Sequence, residues 1–331
     1  MDASFALLLI VIVFGLSFEF VNGFHDAANA VATIIATRVL SPLAAVFMAG
    51  ILNFLGAVTG LAVAATVGSG LVDPTAVTLT TVAAGLLAAI LWDLTTWLLG
   101  LPTSSSHALL FGVLGAGVAT TGFGAIILSG VQLVGIGIIY SPGIGLLAAA
   151  AIVIIIYRIF RYRSPTMVRK LFSRLQLLSS AYMAYSHGGN DGQKTMGILA
   201  LALFTYGTYD SFYVPLWVII AAALAMGLGT AAGGFRIVKT MGFKLVKLDA
   251  AHGFAAETAA GTVIEIATRF GVPISTTHAI NGAIIGVGTV KNRRAVAWGV
   301  ARSIVIAWVV TLPICFILGW VLLKGATAIG L

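Results

Sequence analysis

Charge is scarce in this sequence: only 8% of its 331 residues are Asp, Glu, Lys or Arg, where an average soluble chain carries about a quarter. That scarcity excludes an ordinary water-soluble domain. Four stretches, 41–72, 108–157, 211–235 and 303–323, contain no Asp, Glu, Lys or Arg at all. Each exceeds the roughly 20 apolar residues that a helix needs to cross a hydrocarbon core. Only a helix or a closed barrel satisfies its backbone there, and these runs lack the polar–apolar alternation of a barrel. Cysteine is nearly absent as well. Cys315 stands alone, which excludes an intrachain disulfide. The start, Met1-Asp2-Ala3, lacks a basic segment, so it does not read as a cleaved signal peptide. Acids number 10 against 18 bases, for a net charge of +8. The bases flank the apolar runs, so this surplus reads as membrane topology rather than nucleic-acid binding. What remains is 60% hydrophobic with a mean hydropathy of +1.09. The expectation is an all-α polytopic protein, multi-pass in the cell (inner or plasma) membrane, with the lipid bilayer as its partner.

The chain repeats itself. Gly23-Phe24-His25-Asp26-Ala27-Ala28-Asn29 returns as Gly188-Gly189-Asn190-Asp191-Gly192-Gln193-Lys194, and Asp26 and Asp191 are 165 positions apart. Pro102-Thr103-Ser104-Ser105-Ser106-His107 returns as Pro273-Ile274-Ser275-Thr276-Thr277-His278, and here the offset from His107 to His278 is 171. The same offset matches Gly115 with Gly286 and Pro142 with Pro313. The expected division is a first transmembrane repeat over 1–160, a basic cytoplasmic linker over 161–175 and a second repeat over 176–331. The bases of 158–174 mark the cytoplasmic side, and the base-poor loops 68–73 and 206–210 the other. Five crossings per half then follow, and a repeat with an odd number of crossings returns inverted, as in many secondary transporters. The segments 102–118 and 272–290 read equally well as re-entrant or as spanning, with their Ser/Thr-rich parts forming hairpins or half-helices.

Of the ten acids, Asp2, Asp73, Asp210 and Asp249 fall at expected ends or loops, and six fall at membrane depth. A carboxylate at the bilayer centre costs at least about 2.5–3.5 kcal/mol. Glu19, Asp93 and Glu265 read as interfacial or helix-packing acids. Asp26 and Asp191 stand apart because they recur beside glycines and amides. The glycines before them predict helix breaks, and Asp26, Asn29, Asn190 and Asp191 offer hard oxygen ligands for sodium or a place for a proton. The second motif supplies short hydroxyls after a proline at a helix start. Ser104, Ser105, Ser106, Ser275, Thr276 and Thr277 suit an oxyanion, helped by backbone amides at the positive helix end. Gln193 offers a further donor. Thr103, His25, His107 and His278 take supporting parts, the last two either as orienting groups or as proton carriers.

These four motifs, in this order, resemble the inorganic phosphate transporter (PiT) family, in which a Gly-x-Asn-Asp-x-x-Asn-like motif and a later Pro-x-Ser-x-Thr-His-like motif occur in each half. Glu257, ahead of the second hydroxyl motif, also matches a family position and joins the candidate cation ligands. His25 in place of Asn, and Gln193-Lys194 in place of Ala-Asn, look like the bacterial branch. They break the symmetry of the pattern, so the two cation sites need not be equivalent. The resemblance implies sodium- or proton-coupled symport of inorganic phosphate, an inverted-repeat fold and a homodimer. It implies no enzymatic activity and no cofactor beyond the co-transported Na+ or H+. Electrostatics agrees: a phosphate dianion meets several carboxylates and one motif cation, Lys194, so cations must enter with it. A cation channel or exchanger would use the acids but has no need of paired hydroxyl clusters. Another oxyanion such as sulfate remains an alternative substrate.

Overall fold

The computed structural model describes residues 3–330; Asp2 lies outside them. The first half contributes α1 (Ala3–His25), α2 (Ala27–Ala36), α3 (Pro42–Ala57), α4 (Ala62–Ser69), α5 (Leu79–Leu99), α6 (Ser105–Thr121) and α7 (Leu128–Phe160). The second contributes α8 (Pro165–Tyr206), α9 (Leu216–Ala232), α10 (Phe235–Lys239), α11 (Ala250–Arg269), α12 (Thr276–Lys291) and α13 (Trp298–Ala328). No strand forms among the described residues, and the molecule is a bundle of helices. Four helices are long and apolar enough to cross a membrane when Ser4–Ala36 counts as one, and up to six if each of two bent pairs is a single span.

Local signals set the boundaries. Ser41 caps α3, accepting from the Ala44 N–H, with Pro42 in the first turn. Thr78 and Thr81 form a reciprocal capping box at α5. Gly100 and Gly207 close α5 and α8 in the left-handed region, at φ 66° and 84°, which any Cβ would disfavour.

The basic segment 161–175 is mostly helical: only 161–164 lie between α7 and α8, and Ser164 caps the new helix with Pro165 behind it. The expected breaks also differ. The first span bends only at Asp26, at φ −92° and ψ 3°, while the Asp26 N–H still reaches the Asn22 carbonyl. At the second motif there is no break, and α8 runs through Gly188, Gly189 and Asn190 without interruption. Those glycines serve packing instead. A Cβ on Gly188 would lie 2.1 Å from the Asn53 carbonyl oxygen, and one on Gly56 would lie 2.0 Å from that of Tyr185. Backbone therefore lies against backbone where α3 crosses α8, as small residues allow in membranes. The sharp bends fall between α3 and α4, at 72°, and between α9 and the 235–245 segment, at 54°. The hydroxyl segments take the half-helix form rather than the hairpin. Each is one helix of 17 or 16 residues, about 25 Å long, with its N-terminus buried in the protein.

The halves interlace. α7 packs along α12 and α13 along α6, while α3 lies on α8 and α9 on α1. A Cβ on Gly115 would meet the Phe316 carbonyl at 1.9 Å, and one on Gly286 would meet that of Leu146 at 2.2 Å. An isolated antiparallel backbone pairing of Val72 with Ile126 in the first half is matched by one of Val246 with Val296 in the second. Gly115→Ala and Gly286→Ala are expected to lower stability by about 1–3 kcal/mol through overpacking. Gly143→Ala, whose Cβ meets nothing within 4 Å, should not. Thermal unfolding of the detergent-solubilised variants measures the difference.

Candidate functional site

The buried N-termini of α6 and α12 converge on the bend at Asp26 and on the middle of α8. Their cap residues fold back on their own helices: Ser104 accepts from the His107 N–H and Ser275 from the His278 N–H. The next two residues of each helix face the carboxylates. Thr276 Oγ1 donates to Asp191 Oδ2 at 2.8 Å and Thr277 Oγ1 to Asp26 Oδ2 at 3.3 Å. Ser106 Oγ donates to Asp191 Oδ1 at 3.4 Å, and Ser105 Oγ lies 3.4 Å from His25 Nδ1. Residues that match between the halves make matching reaches. Asn29 Nδ2 donates to Thr277 Oγ1 at 2.9 Å and to Thr276 Oγ1 at 3.2 Å, while Lys194 Nζ donates to Ser106 Oγ at 2.6 Å. Each half's first motif therefore grips the other half's hydroxyl motif. Lys194 Nζ also donates to Asp191 Oδ1 at 2.5 Å and to the Ile274 carbonyl at 2.7 Å. Three oxygens around one ammonium are a cation's coordination supplied by a side chain. His25 Nδ1 donates to Asp26 Oδ1 at 2.7 Å, and its Nε2 faces Thr96 Oγ1 at 3.0 Å, beside Thr103, whose hydroxyl donates to Thr96. All of these side chains are buried.

Not every expected residue joins this centre, and the unbroken helix explains why. Successive residues of a helix point about 100° apart, whereas residues three or four apart share a face. His187, Asp191 and Lys194 point within about 60° of one another, toward the centre; Asn190 lies at the edge of that face and Gln193 about 120° round from His187. Asn190 Nδ2 donates to Thr268 Oγ1 at 2.8 Å. Gln193 plugs the bend between α3 and α4, where its Oε1 accepts from the Val63 N–H at 2.9 Å. Glu257 sits in a separate pocket, accepting from Thr33 and Ser179 at 2.5 Å and from Gln176 at 3.0 Å. His107 and His278 contact each other edge to face at 4.6 Å, and Trp308 stacks on His278. Glu19 accepts from Thr195, Asp93 is buried on α5, and Glu265 pairs with Arg269.

One central residue lies outside the motif-based expectation. His187 Nε2 lies 3.2 Å from Asp191 Oδ2, and ligand atoms of Asp26, His187 and Asp191 all lie within 4.8 Å of one another. Asn53 orients it: Asn53 Nδ2 donates to Thr230 Oγ1 at 2.8 Å, which leaves Oδ1 to face His187 Nδ1 at 3.0 Å. Its only signal in the sequence is its place four residues before Asp191, which counts on an unbroken helix alone.

The family described as the phosphate transporter family matches residues 22–319. The chain is 49% identical over 317 residues to a Rhizobium meliloti (strain 1021) protein named "Probable low-affinity inorganic phosphate transporter", with 95% of each chain covered. It is 40% identical over 322 residues to a Bacillus subtilis (strain 168) protein of the same name, with 96% of this chain and 97% of that one covered. A solved structure titled "The sodium-dependent phosphate transporter" shares the fold, with a TM-score of 0.90 over 98% of this chain and 100% of that chain, at 23% identity. Chain-length matches of this kind, together with the buried carboxylate and hydroxyl motifs, identify a transporter and not an enzyme: the chain belongs to the phosphate transporter family.

Proposed function

We propose that this protein is a symporter that carries inorganic phosphate through the membrane together with Na+ or H+, by alternating access. The observation that carries the reading is the convergence of two carboxylates with hydroxyls from both halves, Thr276 and Ser106 on Asp191 and Thr277 on Asp26. Phosphate binds between the N-termini of α6 and α12, taking hydrogen bonds from Ser106, Thr276 and Thr277 that now go to neighbouring side chains, and one from Ser105, which lies beside His25. Ser104 and Ser275 hold those helix ends in shape. The positive helix ends favour the anion, but Asp26 and Asp191 oppose it. At about 5 Å and an effective dielectric of about 20, two unit charges repel by roughly 3 kcal/mol. Cations that bind at Asp26 and Asp191 turn that repulsion into attraction, and this is the coupling. Asn29 shares the first cation site. In the second, the Lys194 ammonium takes part of the cation's place. Glu257, in its pocket of hydroxyls and an amide, serves as an additional cation site apart from the centre.

The two repeats, 1–160 and 176–331, joined through the basic stretch 161–175, are read as inverted copies with five crossings each. The matched contacts of α6 with α13 and of α12 with α7 support a two-fold relation between them. Rocking one set of helices against the other would expose the site alternately to each side. The resemblance to the family carries the expectation of a homodimer in the cell membrane.

Uptake of labelled phosphate into proteoliposomes, under imposed sodium and pH gradients in turn, identifies the coupling ion. Asp26→Asn and Asp191→Asn should each insert normally yet lose most of the response to the driving gradient; an unaltered response in both removes these residues from coupling. Ser105→Ala and Thr276→Val each remove one donor to an anion, worth roughly 1.5–3 kcal/mol. Phosphate affinity of the purified variants at saturating cation should therefore fall by about ten- to a hundredfold. Parental affinity in both would make these hydroxyls structural. Lys194→Asn restores the pattern of the first half, so uptake should depend more steeply on cation concentration than in the parent. An unchanged steepness would refute the part given to the ammonium.

A further inference from the structure

Away from the central site, the junction of the two halves encloses a cleft of about 530 Å³ between the end of α7, the first turns of α8 and the start of α11. Its rim carries Arg161, Arg163 and Arg169, and its wall includes Ile156, Phe160 and Val168. Among the described residues, no carboxylate lies within ion-pair distance of any of the three arginines. The one acid lining the cleft, Asp249, is already committed. Its Oδ1 accepts from the N–H groups of Ala251 and His252, and its Oδ2 lies 2.8 Å from His252 Nδ1. His252 Nε2 in turn meets the Tyr157 hydroxyl at 2.7 Å. A second cavity, sharing Arg169, Asp249 and Ala250, adds Arg38 and Arg174. Five guanidinium groups thus border a connected hollow where the one lining carboxylate among the described residues is held by its own helix start and by His252.

Such a hollow needs an anion with several acceptor oxygens, since guanidinium pairs best with phosphate or carboxylate. The surroundings select its source. Ile156 and Phe160 of the apolar wall belong to α7, on which Ile155 is 53% and Ile159 65% exposed at the same end of the helix. In a membrane-spanning helix, that exposure is to lipid. A ligand with a phosphate head and an acyl tail would satisfy both parts of the cleft, whereas a small soluble anion would leave the partly exposed Phe160 and Val168 wet. Basic pockets between helices at the membrane surface take anionic headgroups on the same grounds.

We propose that the cleft at the α7–α8 junction is a binding site for an anionic phospholipid, with its headgroup phosphate among Arg161, Arg163 and Arg169 and its acyl chain along α7. The site holds the joint between the halves at the bilayer surface, independently of the ions carried through the centre.

Native mass spectrometry of the purified full-length protein tests this with dioctanoyl phosphatidylglycerol, dioctanoyl phosphatidylcholine and inorganic phosphate as probes. The glycerol lipid should be retained more tightly than the choline lipid, and the Arg161→Gln/Arg163→Gln/Arg169→Gln variant should lose about a hundredfold of that affinity, at about 1 kcal/mol per base. Inorganic phosphate at millimolar concentration should not displace the lipid. Val168→Trp, which fills the wall and keeps every charge, should also weaken the lipid; it keeps the test sound if the triple variant fails to fold. Equal retention of the two lipids, or parental retention by a folded triple variant, overturns the proposal. Full displacement by inorganic phosphate also overturns it, in favour of a soluble anion.

Discussion

Asp26 and Asp191 are carboxylates in the interior of an apolar protein, where a charge left without partners costs several kcal/mol. Everything near them is arranged around that cost. Thr276, Thr277 and Ser106 turn their hydroxyls to them, Lys194 and His25 turn nitrogens to them, and the N-termini of α6 and α12 end there. Breaking a buried arrangement by removing one member is far more damaging than never having built it. The two halves are therefore held together at their centre by buried polar groups. The long apolar contacts of α6 with α13 and of α7 with α12 hold them together away from it.

The asymmetry between the halves is chemical as well as geometric. Asn29 and Lys194 occupy matching places and reach matching hydroxyls, Thr277 and Ser106. One brings an amide and the other a full positive charge. Likewise His25 meets Asp26 at 2.7 Å, whereas its match, Asn190, turns away toward Thr268. Two similar sets of contacts thus surround the two carboxylates with different chemistry.

Much of this is legible in the sequence. Hydropathy alone indicates the helical membrane class, and duplication singles out Asp26, Asp191 and both hydroxyl motifs, which the fold does bring together. The failures have one physical root. Glycine both breaks helices and lets them touch, and only the partner decides which. At Gly188 the partner is the Asn53 carbonyl on α3, 2.1 Å from where a Cβ would sit, and nothing near Gly188 in the chain reveals it. Reading a break there assigns Asn190 and Gln193 to the centre and leaves out His187, because an unbroken helix turns a different face inward. Ser104 and Ser275 cannot be told from their neighbours for a related reason: a capping hydroxyl and a ligand hydroxyl have the same composition, and one residue of helical rotation separates them.

The interlacing also sets an order of assembly. Asn29 and Thr277 are hydrogen-bonded across 248 positions of chain, and α6 finds its cover, α13, only at the far end of the sequence. During synthesis the first seven helices enter the bilayer before any of their second-half partners exist. Asp26, with its hydroxyl donor Thr277 still unmade, has only its first-half partner His25 beside it. Completion of the fold is then a late event, decided by the last two helices to leave the ribosome. A chain stopped before α12 lacks the pieces that close both halves at once, so a truncated product offers the cell's quality control an unfinished surface along its whole length.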